Sequence, residues 1–215
     1  MKWAVAQGYR EDNPAGEAVT AALPRGGVQR AHFRALAWRD VPAALAKIQG
    51  SNAAPTTKLC FEFMVLCAVR SGEARHATWA EINLDAEVWT IPASRTKTGR
   101  EHRVPLSDPA LCVLAQAREY NDGSGLVFPS PTGKAMSDNT LSKALRDHGI
   151  PAVPHGFRSS FRDWCGDTGK AREVAEASLA HQVGNAVERA YARSDMLARR
   201  RELMVEWAEA ISPTK

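Results

Sequence analysis

The chain of 215 residues is 44% hydrophobic and 24% charged, which suits a folded globular protein and excludes a disordered or collagen-like one. A formal charge of +4 favours an anionic partner without requiring one. Cys60, Cys67, Cys112 and Cys165 form no C-x-x-C pair, which argues against a zinc ribbon or a disulfide framework. No apolar run approaches the roughly 18 residues of a bilayer span, and no signal-peptide pattern opens the chain, so a cytoplasmic location is expected.

Trp3 to Gly8 reads as the last turns of a helix stopped by Gly8, after which Asn13-Pro14 begins an irregular segment. Ala15 to Phe33 is rich in Gly, Pro and Ala with little periodicity and reads as a linker. Residues 1–39 are therefore expected to be the tail end of an upstream domain plus a linker, and 40–215 one larger domain. Asp40 is in position to cap a helix from Val41 to Ile48, with Pro42 in its first turn and Gly50 at its end. Pro55 opens a core helix through Leu59, Phe63, Leu66 and Val69. Arg70-Ser-Gly-Glu73 follows, with Ser71 expected to cap the next short helix. An arginine leaving an apolar surface needs an anionic partner, either Glu73 beside it or an anion from elsewhere.

From Thr78 to Leu106 the pattern changes to short extended runs, Trp79 to Leu84, Glu87 to Pro92 and His102 to Leu106, which predict a small antiparallel sheet. Arg95-Thr-Lys97-Thr-Gly-Arg100 is its basic hairpin tip. Such a loop either protects a sheet edge or carries a lysine into a phosphate site, and the residues alone leave open which of Arg95, Lys97 and Arg100 points inward. Further helices are expected from Asp108 and from Asp138 to Asp147, the second capped by Ser137. From Pro154 the chain reads as helical almost to its end, closing on an amphipathic helix from Met196 to Ile211. The predicted class is α+β, mainly helical.

The chemistry concentrates between His155 and Tyr191. Phe157, Phe161 and Trp164 recur at i, i+4 and i+7 and should face the core, while His155, Arg158 and Arg162 occupy another stripe. Arginine neutralises phosphate, histidine moves protons, and a tyrosine hydroxyl can attack phosphorus. Each of these residues has an ordinary structural reading when taken singly. His181 could be a satisfied histidine at a helix end, and Tyr191 a half-buried ring with its hydroxyl in solvent.

Their order along the chain is more specific. Ala68-Val-Arg70-Ser-Gly-Glu73, Trp79-Ala-Glu-Ile82, Lys97 with His102-Arg-Val-Pro-Leu106, Pro154-His-Gly-Phe-Arg158, Leu179-Ala-His181 and Ala190-Tyr191 together resemble the catalytic domain of the tyrosine recombinases, the phage integrase family, and within it the integrases of P4-like prophages. The resemblance runs from about Asp40 to the C-terminus, and Trp3 to Pro14 looks like the end of that family's helical core-binding domain. It implies a mainly helical α+β fold with a small antiparallel three-stranded sheet. It implies that Tyr191 is the nucleophile forming a 3′-phosphotyrosine, that Arg70 and Arg158 hold the scissile phosphate, and that Lys97 protonates the leaving 5′ oxygen. His155 would assist proton transfer, His181 would hydrogen-bond the phosphate, and Glu73 would support the site. The implied partners are double-stranded DNA attachment sites, a homotetramer on DNA and accessory proteins that bend DNA or direct excision, with no metal, ATP or other cofactor. Two alternatives share these residues: a type IB topoisomerase-like enzyme and a DNA-binding prophage remnant that no longer cuts.

Overall fold

A computed structural model describes residues 2–14, 16–22, 34–181 and 195–212. The chain divides into two compact units, Met1–His32 and Phe33–Lys215. In the first, α1 (Lys2–Ala6) ends at Gly8, whose φ of +74° suits a residue without Cβ, and Trp3 stacks on Tyr9. The expected linker contains a second helix, α2 (Glu17–Ala22), whose six residues are too few to show a helical period.

The second unit begins with an extended strap at residues 34–37 and a single 3-10 turn, Trp38–Asp40. Helices α3 (Val41–Gln49), α4 (Pro55–Leu66) and α5 (Ser71–Arg75) follow. Asp40 occupies the N-cap of α3 but makes no side-chain capping bond, and Arg70, not Ser71, is the N-cap of α5. The three strands β1 (Ile82–Asn83), β2 (Val88–Ile91) and β3 (His102–Pro105) pair antiparallel in the order β1-β2-β3, with Ile82 opposite Trp89 and Ile91 opposite His102. Trp79–Glu81, expected as part of the first strand, forms a 3-10 turn instead, because Glu81 turns back to accept from the indole Nε1 of Trp89 at 2.9 Å. Beyond the sheet come α6 (Asp108–Ala117), α7 (Thr140–Asp147), α8 (Gly156–Asp167), α9 (Arg172–Ser178) and α10 (Leu197–Ala210). Helix α7 starts two residues later than expected, with Asn139 as its N-cap and Ser137 bonded to the Thr140 hydroxyl at 3.0 Å.

Helix α4 is the central element, as its near-continuous apolar sequence requires. Phe61 meets Phe157 of α8 edge-on, and Phe63 packs on Trp89 of β2 and on Phe128. Phe161, Trp164 and Trp207 form a further aromatic cluster joining α8 to α10. Removing a Phe-sized side chain from water contributes roughly 1.5–3 kcal/mol. Trp207 is fully buried and donates its Nε1–H to the Val65 carbonyl at 2.9 Å, so α10 caps the core that α4 organises. Arg200 stitches the same helix to the sheet. Its guanidinium, 2% exposed, donates to the Arg103 carbonyl at 2.6 Å, and burial pushes its pKa down to about 10.

The strap runs along α8. The Arg34 carbonyl accepts from the Val153 amide at 3.1 Å, the Leu36 carbonyl accepts from the Ser160 hydroxyl at 2.6 Å, and Trp38 donates to Asp167 at 2.9 Å. Among the described residues no helix is long and apolar enough to cross a membrane.

Candidate active site

Two helix ends build the site. Helix α4 stops with Ala68 at a left-handed φ of +50°, and the Val69 amide bonds back to Met64 at 3.2 Å while the Ala68 amide bonds to Val65 at 3.1 Å. Helix α9 stops in the same way, with Ala180 at φ +51°, His181 bonded back to Glu176 at 2.9 Å and Ala180 to Ala177 at 3.1 Å. Both are paired-hydrogen-bond helix terminations of the kind that glycine usually closes. Each reverses the chain sharply and releases a candidate site residue, Arg70 two positions after Ala68 and His181 directly after Ala180.

Arg158 lies between these ends. Starting from the first turn of α8, it reaches back to donate Nη1–H to the Ala68 carbonyl and Nη2–H to the Leu179 carbonyl, each at 2.6 Å. Its Nη2 also lies 3.3 Å from His181 Nε2. The side chain is 4% exposed, and its pKa is pushed down to about 10, first by burial and then by the neighbouring charge of Arg70. Its Nε–H has no acceptor among the described residues. A buried donor without an acceptor costs about 1–3 kcal/mol.

Arg70 is less buried and is held by Glu73, which is 4% exposed. One carboxylate oxygen accepts from the Arg70 amide and the other from Arg70 Nη1, both at 2.8 Å. Two guanidinium groups therefore converge, one fixed by a carboxylate and the other by carbonyls. The repulsion between them favours a bound anion over an empty site.

The hairpin tip divides its cations. Arg95 is committed inward, donating to the Glu73 carbonyl at 2.6 Å and pairing with Glu81, so it braces α5 against the sheet. Lys97 is exposed, and its charge reaches His155. His155, the N-cap residue of α8, is exposed at the rim, and its pKa is held below the usual histidine value by desolvation, then by Arg158, Arg70, His181 and Lys97. The expected residues Arg70, Arg158, His155, His181, Lys97 and Glu73 thus gather around one place. Tyr191 lies outside the described residues, and Arg162, from the same predicted stripe as Arg158, is exposed.

Sequence reasoning missed two residues here. His102, on β3, is 7% exposed, and its pKa is pushed down to about 3 by burial, then by Arg200 and Arg158, with Arg70 adding a smaller push. Glu176 accepts from His181 Nδ1 at 2.6 Å. The spacing from Glu176 to His181 spans a helix and its terminating turn, so helical periodicity does not pair them. Among the described residues, no group of three or more His, Cys, Asp or Glu side chains gathers in a way that could hold a metal ion.

The profile of the phage integrase family matches residues 35–197. The prophage integrase IntA of Escherichia coli (strain K12) is 36% identical over 176 residues, covering 80% of this chain and 43% of its own length. The integrase of Enterobacteria phage P4 is 31% identical over 226 residues, covering 96% of this chain and 51% of its own. The chain thus spans about half the length of these curated relatives. Among solved structures, the integrase from mycobacterium phage Brujita superposes with a TM-score of 0.63 at 18% identity, over 99% of this chain and 68% of the other. A lambda integrase dimer bound to a COC′ core site gives 0.60 at 20% identity, over 85% of this chain and 67% of the other. These similarities share the mainly helical α+β fold with its three-stranded sheet, and this chain belongs to the phage integrase family.

Proposed function

We propose that the chain carries the catalytic domain of a site-specific DNA recombinase, a prophage integrase that cuts and rejoins DNA through a 3′-phosphotyrosine at Tyr191. The observation that carries this reading is the convergence of Arg70 and Arg158 from two different helices, beside His155, His181 and Lys97. In the cleavage step the Tyr191 oxygen forms a bond to the scissile phosphorus, the bond to the 5′ oxygen breaks, and that oxygen takes a proton from Lys97. The tyrosine proton passes to His155, whose lowered pKa keeps the ring neutral and able to accept it. An unperturbed tyrosine has a pKa of about 10, so the two guanidinium groups also serve by stabilising its developing anion and the charge on the phosphate. His181 accepts from Arg158 through Nε2 and so holds that arginine at the phosphate, and Glu73 orients Arg70. The phosphotyrosine conserves the energy of the broken ester, so rejoining needs neither ATP nor a metal.

In this reading residues 1–39 are core-binding-domain sequence with its linker, and 40–215 the catalytic domain. The partners are duplex attachment sites, three further copies of the protein on DNA, and accessory proteins that bend DNA or direct excision. The test is a nicked suicide duplex carrying the attachment site, incubated with the full-length protein and resolved on a denaturing gel. Wild type should yield a covalent adduct that Tyr191→Phe does not. Salt-sensitive binding without an adduct would instead identify a non-cutting DNA-binding protein, and multiple-turnover relaxation of plasmids lacking the site would identify a topoisomerase.

A further inference from the structure

The two arginines of the site acquire counter-charge differently. Arg70 donates directly to Glu73. Among the described residues Arg158 forms no ion pair, and its acceptors are two carbonyls and the ring of His181. A guanidinium only donates, so His181 Nε2, 3.3 Å from Arg158 Nη2, must present its lone pair, and the ring proton belongs on Nδ1. On that side stands the carboxylate of Glu176 at 2.6 Å, which only accepts. The neighbours on the two sides of the ring therefore specify the same tautomer.

The backbone supports this arrangement. The His181 amide bonds to the Glu176 carbonyl at 2.9 Å in the turn that ends α9, which sets the two side chains next to each other. Glu176 is also among the charges that counteract the burial of Arg158. We propose that Glu176 is a positioning residue of this site, holding His181 as the Nδ1–H tautomer and supplying through the imidazole the carboxylate charge that Arg158 does not contact directly. Each arginine then has its own carboxylate, Glu73 in direct contact and Glu176 one ring away. The ring is fixed by its far nitrogen, as outer carboxylates fix histidines in metal sites and hydrolases, and Nε2 is left to accept from Arg158.

The proposal rests on the recombinase reading for its functional consequence but not for its geometry, and two measurements separate them. In the 15N-histidine-labelled chain, long-range proton–nitrogen spectra should show His181 with its proton on Nδ1. Glu176→Gln, whose amide oxygen can accept the same bond, should retain that form, and Glu176→Ala should shift it toward Nε2–H. On the suicide duplex, Glu176→Ala should slow adduct formation about 10-fold or more, short of the roughly 10²- to 10³-fold cost of losing a direct oxyanion donor, with Glu176→Gln recovering most of the rate. A wild-type ring protonated on Nε2, an unchanged ring in Glu176→Ala, or an unchanged rate in that variant would each overturn the proposal. If wild type forms no adduct, the strand-transfer reading fails, and the spectra still decide the tautomer.

Discussion

Gly156 faces the carbonyl oxygen of Arg34 so closely that a Cβ on residue 156 would stand 2.2 Å from it, and 2.9 Å from the Ala35 Cα. Both obstacles are backbone, so no rotamer change relieves them. The strap before the 3-10 turn and the helix that carries Arg158 are thus fitted to each other through the missing side chain. Gly156→Ala should destabilise the protein by about 1–3 kcal/mol in urea unfolding. Gly166, in the same helix, has nothing within 4 Å of its virtual Cβ, and Gly166→Ala should stabilise by roughly 0.5–1 kcal/mol.

The left-handed alanines that release Arg70 and His181 lead to an opposite expectation. Ala68 and Ala180 hold φ near +50° in turns that glycine adopts without steric cost. Ala68→Gly and Ala180→Gly should each stabilise by about 0.5–1 kcal/mol, read as an increase in the urea midpoint with an unchanged slope. Loss of stability in both variants would refute the assigned turn geometry.

Arg70 and Arg158 should separate when rate and stability are measured together. On the suicide duplex, alanine at either position should lower adduct formation by about 10² to 10³. Arg158→Ala should also lose stability, because the buried carbonyls of Ala68 and Leu179 lose their donor, at about 1–3 kcal/mol for each group left unsatisfied. Arg70 is more exposed, and among the described residues its guanidinium donates only to the carboxylate of Glu73, so Arg70→Ala should cost less in the same unfolding assay.

His102 makes stability depend on pH. Its folded pKa near 3 lies below the unfolded value of 6.5, so between them the unfolded chain binds the extra proton. The contribution is fully present above about pH 6.5 and is lost as the pH falls toward the folded pKa, at a limiting slope of about 1.4 kcal/mol per pH unit. Urea unfolding at pH 5.5 and 4.5 should show a steeper loss in wild type than in His102→Gln. Equal slopes would show that the ring is not held neutral.

Much of this was legible in the residues. Phe157, Phe161 and Trp164 recur at helical spacing and are buried, and of the apolar positions expected in the terminal helix Leu203, Met204, Trp207 and Ile211 are buried while Leu197 is half-buried. Arg200 is buried although polar, since it lies three residues before Leu203 and seven before Trp207, on their face of the helix. Glu73 was found beside Arg70 because a short helix keeps its partners local. Glu176 and His102 were not, because Glu176 meets His181 across a helix-ending turn and the neighbours of His102, Arg158, Ser178 and Arg200, come from helices far along the chain. The choice among Arg95, Lys97 and Arg100 also needed coordinates, since the commitment of Arg95 to Glu81 and Glu73 depends on how the hairpin folds back over α5.

The burial of Trp207 against Val65 also governs when the protein can finish folding. Those residues are 142 positions apart, and α10 leaves the ribosome after every other described element. Until it does, Phe161 and Trp164 lack one wall of their cluster, and β3 lacks Arg200. A nascent chain is therefore left with an open aromatic surface until α10 emerges, and such surfaces are aggregation-prone. Stalling translation just before α10 should give a ribosome-bound chain that is cut rapidly by protease, while stalling after α10 has left the ribosome should close the core.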